Sequence, residues 1–256
     1  MKGIILAGGL GTRLHPLTRI TNKHLLPVYN KPMIFYSVEM LVNAGITDIM
    51  VVTGGNNAGD FLRLLGNGSE FGLKRISYAY QEGEGGIADA LKLTREFVGK
   101  DKMIVALGDN IIEKNIKKEV RDFRKQKKGA KILLTEVKNP EEYGIAEIEG
   151  NKIKNIVEKP KQPKSDFAVT GIYFYPNDVF RIIEKLIPSK RGELEITDVN
   201  NAYLKRNSMT YSILDGWWMD AGESKDALLE TNIIVSREGA NKTGSGVDSK
   251  KRRRKL

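Results

Sequence analysis

Ile4-Ile5-Leu6-Ala7-Gly8-Gly9-Leu10-Gly11-Thr12-Arg13-Leu14 decides the reading of this chain. Four consecutive apolar residues leave no polar face, so the segment reads as a strand covered on both sides, as in parallel sheets. The glycines behind it let the backbone turn tightly and bring its N–H groups close to an anion, and Arg13 adds a planar cation suited to phosphate oxygens. A loop at the carboxyl end of a strand is where open α/β sheets bind ligands. The spacing fits neither the dinucleotide nor the P-loop pattern: the third glycine of G-x-G-x-x-G, counted from Gly9, falls on Leu14, and no Gly-Lys-Ser/Thr follows. Phosphate binding is the favoured reading over a plain tight turn carrying a surface arginine.

Similar apolar runs recur at Ile49-Met50-Val51-Val52, Met103-Ile104-Val105-Ala106-Leu107 and Ile132-Leu133-Leu134. Between them Ile34, Val38, Leu41 and Val42, then Ile116, Val120 and Phe123, repeat at helical spacing. Strands alternating with helices predict right-handed β-α-β units around a mostly parallel sheet. Beyond Val137 the texture changes. Residues 146–153 read as a hairpin around Gly150-Asn151, followed by a strand at 155–158, an apolar stretch at 169–175 and an amphipathic helix carrying Val179, Ile182, Ile183, Leu186 and Ile187. The expected fold is α/β: a Rossmann-like three-layer α/β/α arrangement with a mostly parallel, mixed central sheet, plus a smaller α+β portion. Residues 1–240 are expected to form one unit with halves at about 1–137 and 138–240, and 241–256 a flexible basic tail.

The 256 residues carry 42 Lys plus Arg against 32 Asp plus Glu, a formal +10. Spread over one face, such an excess points to nucleic acid or a membrane surface. Here it is local, because seven cations opposed only by Asp248 fall within 241–256 and leave +4 for the rest. Gly244-Ser245-Gly246-Val247-Asp248-Ser249 has a linker's composition, and the run Lys250-Lys251-Arg252-Arg253-Arg254-Lys255 behind it is as readily an appended tail as a native one. The body is therefore expected to bind neither nucleic acid nor membrane. A hydrophobic content of 40% supplies a core and excludes wholesale disorder. The lack of cysteine excludes disulfides, Cys-ligated zinc, iron–sulfur clusters and thiol nucleophiles. The first apolar run is too short for a signal-peptide core of about 7–15 residues or a span of about 20. A soluble, cytoplasmic protein is expected.

Two further blocks follow the glycine loop, Lys23-His24-Leu25-Leu26-Pro27-Val28 and Lys31-Pro32-Met33-Ile34. With Gly-Gly-x-Gly-Thr-Arg-Leu they make the chain resemble the sugar-1-phosphate nucleotidylyltransferases. The same order continues through Leu107-Gly108-Asp109-Asn110, Asn139-Pro140-Glu141-Glu142-Tyr143-Gly144, Glu158-Lys159-Pro160, Val169-Thr170-Gly171-Ile172-Tyr173 and Arg191-Gly192-Glu193-Leu194-Glu195-Ile196-Thr197-Asp198. The last three blocks are most similar to the thymidylyl-transferring branch. The resemblance implies transfer of a nucleotidyl group from dTTP to glucose 1-phosphate, giving dTDP-glucose and pyrophosphate by magnesium-assisted in-line displacement. A uridylyl-transferring (UTP) or relaxed pyrimidine enzyme is the alternative; a non-catalytic nucleotide-binding regulator is the alternative of another class. A homo-oligomer, tetramer or dimer, is implied as well.

The chemistry sets the residue types. The attacking oxygen already belongs to an ionised phosphate, so no general base is required and catalysis rests on positioning and charge neutralisation. Magnesium, which takes few protein oxygens and shares the rest with phosphates and water, is the expected cofactor. By the resemblance Asp109 and Asp220 are its ligands, although each taken alone could be a cap or turn aspartate. Arg13, Lys23, Asp109, Lys159 and Asp220 are the implied catalytic set. Leu6, Gly8, Gly9, Gly11, Thr12, Arg13, Lys23, Gln81, Gly86 and Asp109 would bind the nucleotide, with Gln81 reading the base edge through its amide. Asn110, Tyr143, Gly144, Glu158, Lys159, Val169 and Trp218 would bind the sugar phosphate. The stretch Glu82-Gly83-Glu84-Gly85 departs from the Pro-containing stretch usual there and leaves thymine against uracil open. His15 and His24 do not form a His-x-His element, so direct displacement without a nucleotidyl-enzyme is expected.

Overall fold

The computed structural model describes residues 1–243. The linker and basic run at 244–256 lie outside the described residues. In chain order the elements are β1 (Lys2–Ala7), β2 (Pro27–Val28), β3 (Lys31–Pro32), α1 (Met33–Asn43), β4 (Asp48–Gly54), α2 (Ala58–Leu65), β5 (Arg75–Gln81), α3 (Ile87–Lys92), α4 (Arg95–Val98) and β6 (Met103–Leu107). There follow β7 (Asn110–Ile112), α5 (Lys117–Lys125), β8 (Ala130–Glu136), β9 (Gly144–Glu149), β10 (Lys152–Glu158), β11 (Phe167–Tyr175), α6 (Val179–Ile183), α7 (Ile196–Lys205), β12 (Met209–Ile213), β13 (Trp218–Asp220) and α8 (Lys225–Glu238).

Among the described residues nine strands form the main sheet. β1 lies between β4 and β6, parallel to both, and β5 extends the parallel edge beyond β4. β11 is antiparallel to β6 along one edge and to β8 along the other, and β12 runs parallel to β8. Only β11 thus reverses the common direction along this path, so the mostly parallel, mixed sheet is present. The β9–β10 hairpin joins beside the start of β11 through Ala168 and Ile145.

Alternation along β1 shows why the run is apolar throughout. Ile4 and Leu6 face a core with Leu91 of α3, Phe180 of α6 and Val199 of α7, whereas Ile5 and Ala7 face a second core with Ile34 and Leu41 of α1, Phe61 of α2 and Phe123 of α5. Helices therefore cover both sheet faces, the expected three layers. Full burial of each such aliphatic or aromatic side chain contributes about 1.5–3 kcal/mol. A third cluster joins Leu26, Val28 and Tyr36 to Leu228 and Val235 of α8. Among the described residues no helix is long and apolar enough to cross a membrane.

Three sequence expectations change. The hairpin arm and the strand at 155–158 are one strand, β10, irregular between Ile153 and Asn155. The helix at Val179 ends at Ile183, and Ile187 is 82% exposed, because a residue preceding a proline, here Pro188, is driven out of helical geometry. Asn241 and Lys242, grouped with the tail, are instead anchored: the Asn241 and Lys242 N–H groups donate to the Ile112 and Glu113 carbonyls, and the Asn241 amide donates to the Tyr36 carbonyl.

Candidate active site

β1 and β6 end side by side, with Leu6 opposite Leu107, so the loops after them leave the same sheet edge. Asp109 sits at that edge, 5% exposed. β13 lies antiparallel to β7 with Asp220 opposite Asn110, and the Ala221 N–H donates to the Asp109 carbonyl over 3.0 Å. This pairing carries Asp220, distant in sequence, next to Asp109. Lys23 stands in a short turn capped by Asn22 and places its Nζ 2.5 Å from Asp109 Oδ2, while the Asn110 amide donates to Asp109 Oδ1 over 3.0 Å. Gly222 closes the group; a Cβ there would lie 2.5 Å from Asp109 Oδ2 and 3.0 Å from Lys23 Nζ.

The electrostatics differ sharply within this cluster. Burial opposes the Asp109 charge, but Lys23, with help from His24 and Asn110, holds its carboxyl well below the usual range. Burial, then the Asp109 charge, pushes Asp220 well above the usual carboxylate range. Asp109 is buried and Asp220 partly buried, their mutual repulsion is what a hard divalent cation would relieve, and the donor set is oxygen only, so the residues fit such an ion. Among the described residues no group of three or more His, Cys, Asp or Glu is placed to hold a metal ion. His24 is neutral, pushed down to about 3 by burial and by Lys23.

These groups sit in a cavity of about 380 Å³. Leu6, Gly8, Gly9, Arg13, Gln81 and Gly86 are among its lining residues. Gln81, 6% exposed, donates from Nε2 to the Gly86 carbonyl and to Asp89, and its Oε1 lies beside Gly8. Arg13 is ion-paired with Glu223, and the Leu10 N–H donates to Glu84 over 3.2 Å. Asn110, Tyr143, Gly144, Glu158, Lys159, Val169 and Trp218 line it as well. Tyr143 and Trp218 meet edge to face at 5.4 Å, and Thr197 donates to Glu158 Oε2 over 2.6 Å. Lys159 takes a positive φ of 43° as the chain leaves β10, and its N–H donates to the Tyr143 carbonyl.

Sixteen of the eighteen residues expected from the sequence line this cavity; Gly11 and Thr12 do not. Gly11, with φ of 63°, shapes the turn instead, and its carbonyl accepts the Thr18 hydroxyl over 2.7 Å. Asn110, read as a sugar contact, is already engaged: its Oδ1 accepts the Gly171 N–H and the Trp218 indole N–H, at 3.0 and 2.7 Å. Glu223, Thr197, Arg191 and Asn200 also line the cavity and were not singled out. Arg191 and Thr197 fall inside a motif block that was quoted, but nothing local marks Glu223, whose partner is 210 residues away.

Residues 2–237 match the nucleotidyl transferase family. A glucose-1-phosphate thymidylyltransferase of Neisseria meningitidis serogroup A is 48% identical over 226 residues, 87% of this chain and 78% of that protein. A Bacillus anthracis structure, assigned as a glucose-1-phosphate thymidylyltransferase in complex with a sucrose, superposes with a TM-score of 0.89 at 51% identity, covering 96% of this chain and 98% of that one. A UDP-glucose pyrophosphorylase bound to UDP-glucose superposes at 0.79 with 26% identity, covering 92% and 98%. The chain belongs to the nucleotidyl transferase family.

Proposed function

We propose that the chain is a glucose-1-phosphate thymidylyltransferase, joining the nucleotidyl group of dTTP to glucose 1-phosphate with release of pyrophosphate. The observation that carries this reading is that Asp109, Lys23 and Asp220 line one cavity together with Gln81, Glu158 and Lys159. The identities of 45–48% to thymidylyltransferases set the substrate pair. The nucleotide-binding half is about 1–137 and the sugar-phosphate half about 138–240.

Each role follows from charge and place. Lys159 holds the sugar phosphate, and Glu158, fixed by Thr197, accepts from hexose hydroxyls. Arg13 and Lys23, with the Gly8-Gly9 backbone, neutralise the triphosphate as negative charge shifts to the leaving pyrophosphate. Asp109 and Asp220 would hold magnesium, which when bound supplies charge neutralisation and orients the phosphates. The attacking phosphate oxygen needs no base, and His24, neutral beneath Lys23, supplies none. The Tyr143–Trp218 pair gives the sugar an apolar wall. The reading extends to the cytoplasm, with which the cysteine-free composition is compatible, and to a homo-oligomer, which the family resemblance implies.

Pyrophosphate release across four nucleoside triphosphates and several hexose 1-phosphates tests the reading. The expected pair is dTTP with glucose 1-phosphate. Equal or better turnover with UTP selects the uridylyl alternative, for which the UDP-glucose pyrophosphorylase likeness speaks; no release with any pair returns the chain to a non-catalytic binder.

A further inference from the structure

A carboxamide is nearly symmetric in shape, yet its two ends have opposite hydrogen-bonding character, so a glutamine reads a base edge definitely only if something prevents its flip. Gln81 lines the cavity, and both acceptors around its Nε2 are visible: the Gly86 carbonyl at 3.2 Å and Asp89 Oδ2 at 3.1 Å. Neither a carbonyl nor a carboxylate can donate, so both demand the NH₂ end. Among the described residues Oε1 accepts no hydrogen bond.

Asp89 is itself held in place. It sits in the first turn of α3, and its other oxygen, Oδ1, pairs with Lys92 at 3.0 Å one turn along. The opposite side is equally constrained, because a Cβ on Gly85 would lie 2.5 Å from Asp89 Oδ2, so the glycine leaves the space in which the carboxylate reaches Gln81. Gly85 belongs to the stretch where the sequence departs from the family pattern.

We propose that Asp89 is a positioning residue for base recognition, fixing the Gln81 amide so that only an acceptor faces the base and pyrimidines with an N3–H are selected over cytosine. Thymine and uracil present that donor; cytosine presents a lone pair at N3, against which Oε1 is repelled. A flipped Gln81 would reverse this preference. The inference rests on the proposed role of Gln81 as base reader.

The test measures kcat and KM for dTTP, UTP and dCTP with glucose 1-phosphate in wild type, Asp89→Ala, Asp89→Asn, Gln81→Ala and the Gln81→Ala/Asp89→Ala double variant. Asp89→Ala is expected to raise the KM for dTTP with kcat little changed and to lower the preference for dTTP over dCTP roughly tenfold, equivalent to about 1.4 kcal/mol. Asp89→Asn, which keeps an acceptor oxygen, should recover part of that preference. The double variant should be no less selective than Gln81→Ala, since Asp89 acts through Gln81. Unchanged preference in Asp89→Ala, with a loss in Gln81→Ala, would overturn the positioning role and leave the base-reader assignment standing. Unchanged preference in Gln81→Ala would overturn both.

Discussion

At the scale of single residues, the site turns on negative charge gathered around the buried Asp109. Asp109 and Asp220 lie together under Lys23 and Gly222, so replacing either carboxylate by an amide keeps the shape and removes the charge that would hold a cation. Asp109→Asn and Asp220→Asn should each lose several kcal/mol of transition-state stabilisation, at least about a hundredfold in kcat, while circular dichroism remains native. Near-wild-type rates in both would remove the metal assignment. The two peripheral cations should separate kinetically. Lys159→Ala should chiefly raise the KM for glucose 1-phosphate, by the roughly 1.5–3 kcal/mol of a charge-assisted hydrogen bond. Arg13→Ala should chiefly lower kcat, because its partner charge grows as pyrophosphate departs. Steady-state profiles of the same form in the two variants would show one of them misplaced.

At the scale of elements the core and the site are separable. Phe123 of α5 is buried against Phe174 of β11 at 5.4 Å between ring centres, on the sheet face served by α1, α2 and α5, and takes no part in the cavity lining. Phe123→Ala should therefore cost about 3–5 kcal/mol in urea unfolding while the folded fraction keeps wild-type KM values. A raised KM at low urea would show that the helix face and the site are coupled. The same distinction explains what the sequence disclosed. β1, β4, β6 and β8 were legible because strands buried on both faces leave unbroken apolar runs, and α1 and α5 because their stripes repeat at helical spacing. Local rules could not give the continuity of β10 through its irregular register between Ile153 and Asn155, nor the insertion of β11 between β6 and β8, which depends on pairing across the chain. The site divided similarly. The quoted motif blocks carried twelve of the sixteen lining residues, Gln81, Gly86, Trp218 and Asp220 lying outside them, and the Arg13–Glu223 pair and the Trp218–Asn110 hydrogen bond join positions 210 and 108 residues apart, which no spacing announces.

For the molecule as a whole, stability should carry the mark of one buried imidazole. Burial, reinforced by Lys23, pushes His24 down to about 3 from its usual 6.5. The unfolded chain binds this proton near pH 6.5, whereas the folded chain resists until about 3, so the stabilising contribution is complete above about pH 6.5 and is lost as pH falls through that window. The thermal midpoint of the wild type should therefore fall more steeply between about pH 7 and 5 than that of His24→Gln. Parallel profiles would mean that His24 is charged or exposed in the native state.

The claim that joins these scales is a single in-line transfer inside one cavity, with both substrates bound at once and no covalent enzyme intermediate. The stereochemical course at the α-phosphorus tests it most directly. With one diastereomer of dTTP carrying sulfur on the α-phosphate, and glucose 1-phosphate as acceptor, phosphorus NMR of the thio-substituted nucleotide sugar should report inversion of configuration. Retention would signify two successive displacements through a nucleotidyl-enzyme and would contradict the account.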